Sequence, residues 1–567
     1  MRTRPIDANG NSAAKMTEDI SWKKMVEMLC GIPTAWKFVG GGVLTVLGWT
    51  LISKFRRTLF LNAVKKRQSQ IRQENDKRKQ EFARRIKNKQ SEVNTDEVVS
   101  LSLIQLQEKL QNGVYTPSQV LLAYLKKAIE VDEVSNCVTR FIEEAEDWAA
   151  ELDKATEKGP LYGIPFSIKE SHNLKGYSST RGFHGWADDK ANKSMLPNEV
   201  LIKQGAIPFV QSNVPYLCLS YSCCNRLFGS TCNPLDRRRH PGGSSGGEAA
   251  LLAGGGSVLS LGSDIGGSVR VPCAWCGLVG LKTSSLRISR KNNLVNHGLG
   301  TILPVCFGPM SRDVESAAYV MRHLLTENQY KQDFSIAPLP WREEIYRERR
   351  PLKIGFYDHN DVFEPVPAVR RAVRLTKQKL EELGHQVVPF QVAKGPQGSS
   401  WNCANEFMGV VTSDRGRSLN LIRQQDASGE ELTLPDEPFP KLPRCFNLAV
   451  AAVVGLVSSE MKQRFVLASG TGSTFGWWQL VATMMKWREE VADAFNRAEL
   501  DAILCPITPC PAMYLDQNPQ GGQYMSYSSI YNMLDWTAGV LPVTKITEQD
   551  ITDMKNYPDV SVTERIE

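Results

Sequence analysis

The thirty residues from Pro241 to Arg270, PGGSSGGEAALLAGGGSVLSLGSDIGGSVR, are the part of the chain best suited to chemistry. Ten of them are glycine, which lets other groups come close to the main chain. Ser244 stands in Gly242-Gly243-Ser244-Ser245-Gly246-Gly247, and Ser268 follows 24 residues later in Asp264-Ile265-Gly266-Gly267-Ser268. Upstream, Lys169 closes an apolar run, Gly163-Ile164-Pro165-Phe166-Ser167-Ile168-Lys169. A lysine ending a buried strand is costly to charge. Desolvation lowers its pKa, which makes an amine a base near neutral pH. Two other chemistries compete for the glycine-rich stretch. A phosphate loop needs a lysine after its last glycine, and this stretch contains none. A nucleophile elbow of the form G-x-S-x-G is satisfied by Gly242 to Gly246 but needs an acid and then a histidine downstream. The downstream histidines His297, His323, His359 and His385 sit in no distinctive context.

These residues need a rigid frame, and the surrounding pattern supplies one. Short apolar runs at 163–168, 206–211, 258–261, 277–281, 353–357, 386–390 and 501–505 read as strands, most of them separated by helix-length segments. That alternation predicts an α/β domain with a largely parallel or mixed sheet. Helix starts are legible too. Thr116-Pro117-Ser118-Gln119 combines an N-cap, a first-turn proline and a capping-box glutamine, ahead of the apolar stripe Leu121, Leu122, Leu125 and Ile129. Leu101–Gln111 has helical apolar spacing up to Gly113.

The chain of 567 residues carries a formal net charge of +7 and 42% hydrophobic residues, a composition that folds with a sizeable core. Residues 1–31 are a polar N-terminal segment. Residues 32–53 are apolar except for Lys37, and as a helix they would rise roughly 33 Å, enough for a transmembrane helix. Lys54, Arg56 and Arg57 follow at once, which puts the downstream chain on the cytosolic side of the lipid bilayer. Residues 54–98 read as a basic helical linker, solvated and drawn to anionic headgroups. Nucleic acid is not the expected partner, because aromatic residues to stack on bases are nearly absent there. The globular domain is expected from 99 to 567. Within it Leu448–Val457 is apolar all round but too short to span, so it reads as a core helix or as one embedded in a membrane surface. Thirteen cysteines, odd in number and irregular in spacing, fit a reducing compartment. Cys273-Ala-Trp-Cys276 lacks a second ligand pair and reads as buried thiols.

The segments GGSSGGE, SDIGGSVR, YGIPFSIKE, GLVGLKTS and GPMSRDVES, in this order of types and spacing, resemble the amidase-signature enzymes from about Val99 to Thr544. SNVP, LFGSTCNP, PLPWREEIY and YNMLDWTAGVLPVT bring the resemblance nearest to the animal members that cleave fatty acid amides. The resemblance implies an amidase-signature fold, a central mixed β-sheet surrounded by helices, behind an N-terminal transmembrane helix. It implies Ser268 as nucleophile, Ser244 as bridging serine and Lys169 as base. The N–H groups of Ile265, Gly266, Gly267 and Ser268 would form an oxyanion hole, and Arg270 would support the loop. It further implies fatty acid amide substrates, no metal and no cofactor, a homodimer, and an endomembrane location. Three positions depart from the pattern: Cys218 and Leu219 stand where Met and Phe are common in an acyl channel, and Arg226 replaces a proline. The family pattern also continues with a sheet-completing Gly-Leu/Ile-Pro segment, so the C-terminal part of the domain is expected to be truncated at Glu567.

Overall fold

A computed structural model describes residues 41–293, 302–360, 364–392, 407–417, 444–454, 469–517 and 522–555, together with 456, 466 and 557. The chain divides into two compact units, Met1–Ile71 and Arg72–Glu567. Of the expected membrane span, residues 32–40 lie outside the described residues, and Gly41 opens a helix, Gly41–Lys87. Among the described residues no helix is long and apolar enough to cross a membrane.

The second unit holds twelve described strands: β1 (Val138–Phe141), β2 (Pro165–Lys169), β3 (Ile207–Ser212), β4 (Cys224–Asn225), β5 (Gly229–Ser230), β6 (Ser260–Asp264), β7 (Val279–Lys282), β8 (Cys306–Ser311), β9 (Lys353–Phe356), β10 (Gln386–Pro389), β11 (Ala502–Leu504) and β12 (Ala538–Val540). Seven form the main sheet in the order β1-β3-β2-β6-β8-β7-β12. Its middle is parallel (β3, β2, β6) and its flanks are antiparallel, so the sheet is mixed. β10, β9 and β11 form a separate three-stranded parallel sheet. Every one of the seven apolar runs is a strand.

β2 and β3 are buried at every position. A parallel strand covered on both faces must be apolar wherever it meets a helix core, and side chains alternate between faces. Phe166 and Ile168 therefore join the main apolar core with Leu121, Tyr124 and Phe209. Ser167 and Lys169 emerge on the other face. The helix Pro117–Ser135 begins as expected, with the reciprocal Thr116–Gln119 capping box. Ser102 and Gln105 form a second box ahead of Leu103–Gln111.

Core packing begins ahead of residue 99, the expected start of the globular domain. Phe82 and Ile86, at the end of the basic helix, are buried in the main core. Its last bases pair with the domain's acids: Lys79 with Asp132 and Lys87 with Glu133, each at 2.6 Å, and Arg85 and Lys89 with Glu146. The dense basic charge around them hid the two apolar residues that anchor this part of the helix. From Arg72 onward it belongs to the globular unit rather than to a free linker.

Candidate active site

Lys169 ends β2 fully buried, 0% exposed. Its Nζ lies 2.8 Å from Ser244 Oγ, 2.9 Å from Ser245 Oγ and 2.9 Å from Ser263 Oγ, with the Ser263 carbonyl at 3.5 Å. Burial pushes the amine below its ordinary range, against the attraction of Cys218, Asp264, Cys223 and Glu248. A neutral amine has two N–H groups and one lone pair. Three hydroxyls at hydrogen-bond distance match that set, since a hydroxyl can both donate and accept. The sequence predicts Lys169 and Ser244 as partners and the structure brings them together. Ser245 and Ser263 complete the socket. Both lie inside the glycine-rich stretch, and the signal that could have found them is their spacing, one residue after Ser244 and five before Ser268.

The serines are delivered by packing around glycine. Ser244 follows Gly243 through a cis peptide bond, and Ser245 precedes the helix Gly246–Ala253. That helix presses against the chain just past the end of β3 at Gly247, where a Cβ would collide with Asn213 N and O. Ser268 is buried, and its carbonyl accepts from Ser245 N–H at 3.2 Å, which ties the two serine segments together.

The loop before Ser268 is braced on both sides. The Gly266 carbonyl accepts from Tyr221 OH at 2.7 Å and Ser528 Oγ at 2.5 Å. The next N–H, that of Gly267, donates to Asp264 Oδ1 at 2.8 Å. Gly267 sits at φ +129, a conformation closed to residues with a Cβ, and a Cβ there would also meet Ser528 and Tyr221. Its N–H thus serves the loop itself, and of the four amides expected to line an oxyanion hole it is the one turned to structural use. Arg270 supports the loop as expected. Its Nε and Nη2 hold the two carboxylate oxygens of Asp264, both at 3.0 Å, and Nη2 reaches Asn532 at 2.7 Å. Burial opposes ionisation of Asp264, but Arg270 outweighs it and holds the carboxyl well below the usual carboxylate range. Tyr221 and Ser528 carried no sequence signal, and Asn532 stood out only as part of the segment YNMLDWTAGVLPVT, because all three reach the loop from distant parts of the chain.

Among the remaining expectations, Cys273 and Cys276 are buried free thiols that donate to the carbonyls of Val279 and Pro241. Cys218 lies within electrostatic reach of Lys169 and Arg181. Leu219 packs against Phe183, Tyr216 and Leu217. Of the four downstream histidines, His297 lies outside the described residues, and His323, His359 and His385 are engaged with Tyr319, Asp358 and the Leu352 N–H respectively, apart from the serines.

A family model described as Amidase matches residues 119–561. The chain is 37% identical over 479 residues to fatty-acid amide hydrolase 1 of Sus scrofa, covering 84% of this chain and 80% of that protein. It is 34% identical over 492 residues to fatty acid amide hydrolase 1 of Caenorhabditis elegans, with 84% of each covered. A solved structure of fatty acid amide hydrolase superposes with a TM-score of 0.70 at 21% identity, covering 88% of this chain and 87% of that one.

Proposed function

Because the chain belongs to the amidase family and is an amide-hydrolysing enzyme of the amidase-signature fold, we propose that it is a membrane-attached serine hydrolase of fatty acid amides, working through Ser268, Ser244 and Lys169. The observation that carries this reading is the buried Lys169 amine within 2.9 Å of three serine hydroxyls, Ser244 among them.

The chemistry follows from that arrangement. Uncharged Lys169 takes the proton of Ser244 as Ser244 takes that of Ser268, and Ser268 Oγ attacks the amide carbon. The oxyanion is held by the N–H groups of Ile265, Gly266 and Ser268, which lie on a loop fixed beforehand by Arg270, Asp264, Tyr221 and Ser528. The Lys169 ammonium then returns its proton through Ser244 to the departing nitrogen. An amide needs that step more than an ester does, because an amine anion is a poor leaving group. Breaking the C–N bond leaves an acyl-Ser268 ester and the free amine. Water, activated by the same relay, releases the fatty acid and restores Ser268.

Fatty acid amides, primary amides and ethanolamides alike, are favoured as substrates by the names of the relatives and by the apolar groups beside the cradle. Phe407 and Met525 stand where a side chain at Gly266 would go. Attachment to a bilayer, with the catalytic domain facing the cytosol at an endomembrane, is favoured by the apolar run 32–53. It is also favoured by helices that leave large apolar side chains in the open: Phe446 and Val453 on Arg444–Val454, and Phe475 and Trp478 on Thr474–Arg497. A homodimer belongs to the same reading.

The test is labelling of the full chain in detergent with a fluorophosphonate, beside hydrolysis of an acyl-length series of primary amides. Ser268→Ala removes the label and the turnover, and rates rise with acyl length. Wild-type turnover of a long-chain amide by Lys169→Ala would refute the mechanism. Equal rates for acetamide and a long-chain amide would refute the substrate class.

A further inference from the structure

Glu248 is a fully buried acid, 0% exposed, to which the chemistry above gives no task. It is the third residue of the helix Gly246–Ala253. Its carboxylate accepts from Ser167 Oγ and, at 2.8 Å, from Ser212 Oγ. Ser167 and Lys169 lie two apart on β2, so their side chains leave the same face of the sheet. Ser212 is the register partner of Lys169 on the neighbouring parallel strand β3. The two hydroxyls thus pin the carboxylate on the sheet face that the Lys169 amine occupies. The close approach of the helix at Gly247 fixes it there.

The charged and titratable surroundings of Lys169 are few. Asp264 and Glu248 favour its protonation, the thiols of Cys218 and Cys223 lie within electrostatic reach, and buried His172 is the neighbouring imidazole. Asp264 is already neutralised by Arg270. Glu248 has no arginine against it among the described residues, and Lys169 is the cation within its electrostatic reach.

We infer that Glu248 is a positioning residue for the hydrolysis: its serine-anchored carboxylate is the counter-charge for the Lys169 ammonium formed when the proton leaves Ser244. The inference rests on Lys169 acting as the base. A negative neighbour strengthens an amine's hold on a proton. Glu248 therefore opposes the desolvation that would otherwise leave Lys169 too weak a base to draw on a serine hydroxyl. Burial raises the Glu248 carboxyl as well, and the Ser167 and Ser212 hydroxyls work against that rise.

The experiment is the pH dependence of fluorophosphonate labelling at Ser268 in the full chain. In Glu248→Gln the acid limb moves to lower pH by about one unit, and the plateau labelling rate falls about tenfold. Ser212→Ala frees one oxygen of the carboxylate and lets it protonate more readily, so it moves the limb the same way by less. This second variant carries the test if Glu248→Gln does not fold. A purely structural Glu248 would lower the yield of labelled protein without moving the limb. Profiles of both variants superimposable on wild type would therefore overturn the inference. Lys169→Ala separates the two levels. If it keeps the wild-type limb, the base assignment falls and Glu248 with it. If it abolishes the limb while the Glu248 and Ser212 variants leave theirs in place, only the Glu248 assignment falls.

Discussion

Two lysines end strands of the same sheet, and their surroundings differ in one chemical respect. Lys169 closes β2 and Lys282 closes β7, each 0% exposed, and burial lowers both amines. Around Lys169 stand the hydroxyls of Ser244, Ser245 and Ser263. Around Lys282 stand the carbonyl oxygens of Trp536 at 2.7 Å and Thr283 at 3.1 Å. A carbonyl accepts and never donates, so Lys282 can only give hydrogen bonds away. A hydroxyl can hand over its proton, so Lys169 has something to receive. Burial alone makes a lysine costly to charge, and the donors around it decide whether that cost is of use. Lys282 instead ties Trp536, just before the edge strand β12, to the sheet.

The largest effect separates them directly. Lys169→Met should lower labelling and hydrolysis by at least ~10³-fold while leaving thermal unfolding close to wild type, since rotating hydroxyls can find other partners. Lys282→Met should do the reverse. The buried Thr283 carbonyl and the part-buried Trp536 carbonyl lose their donor, costing about 1–4 kcal/mol. The melting temperature should drop by several degrees, with labelling per folded molecule within about tenfold of wild type. Equal rate losses in the two variants would erase the distinction.

Asp264 lies within the field of both lysines and favours the charged form of each. Asp264→Asn also leaves Arg270 with an uncompensated buried charge, a change that costs about 3–5 kcal/mol in such pairs. The variant should lose stability, measurable by urea unfolding. Its labelling rate should also fall, because one of the two carboxylate oxygens that anchor the Gly267 and Val269 N–H groups becomes an amide that cannot accept. If labelling per folded molecule stayed at the wild-type level, the loop would not depend on the Asp264–Arg270 brace.

How much of this could be read from the chain follows the range of the forces. All seven apolar runs became strands, because each writes its own signal in four to six consecutive, mostly apolar residues, whether the strand it forms is fully buried like β2 or half-exposed like β10. β8 was not anticipated: Gly308-Pro309 lies inside it and reads as a turn. β1, Val-Thr-Arg-Phe, is broken by a threonine and an arginine, and β12, Ala-Gly-Val, is centred on a glycine, so neither stands out as an apolar run. Lys169 and Ser244, which the structure brings together, and Ser268, proposed as the nucleophile, were singled out from local motifs. Tyr221 and Ser528 were not, since each meets the Gly266 carbonyl from 45 and 262 residues away. Glu248 was visible only as a letter after GGSSGG. The role proposed for it rests on strand register, which decides that Ser167, Ser212 and Lys169 share a face.

The smallest effect concerns the residue directly after Lys169, which is buried with it yet turned to a different use. Glu170 accepts from the N–H groups of Thr180, at 2.5 Å, and Arg181, at 2.7 Å. Burial raises its carboxyl to about 7, with those N–H groups and Arg181 opposing the rise. The folded value lies above the unfolded one of 4.5. Its stabilising contribution is therefore complete below pH 4.5 and is lost as pH rises through about 7. In Glu170→Gln one carboxylate oxygen becomes an amide that cannot accept, a penalty present at every pH. The informative quantity is thus the change in the stability difference between wild type and variant. From pH 5 to pH 8 that difference should shift in favour of the variant by roughly 2 kcal/mol, read from urea unfolding at both values. The acid limb of Ser268 labelling should stay within a few tenths of a unit of wild type, because Glu170 is engaged with the backbone of 180–181. A limb displaced as far as that expected for Glu248→Gln would mean that the site does not distinguish the acid beside Lys169 in sequence from the acid beside it in space.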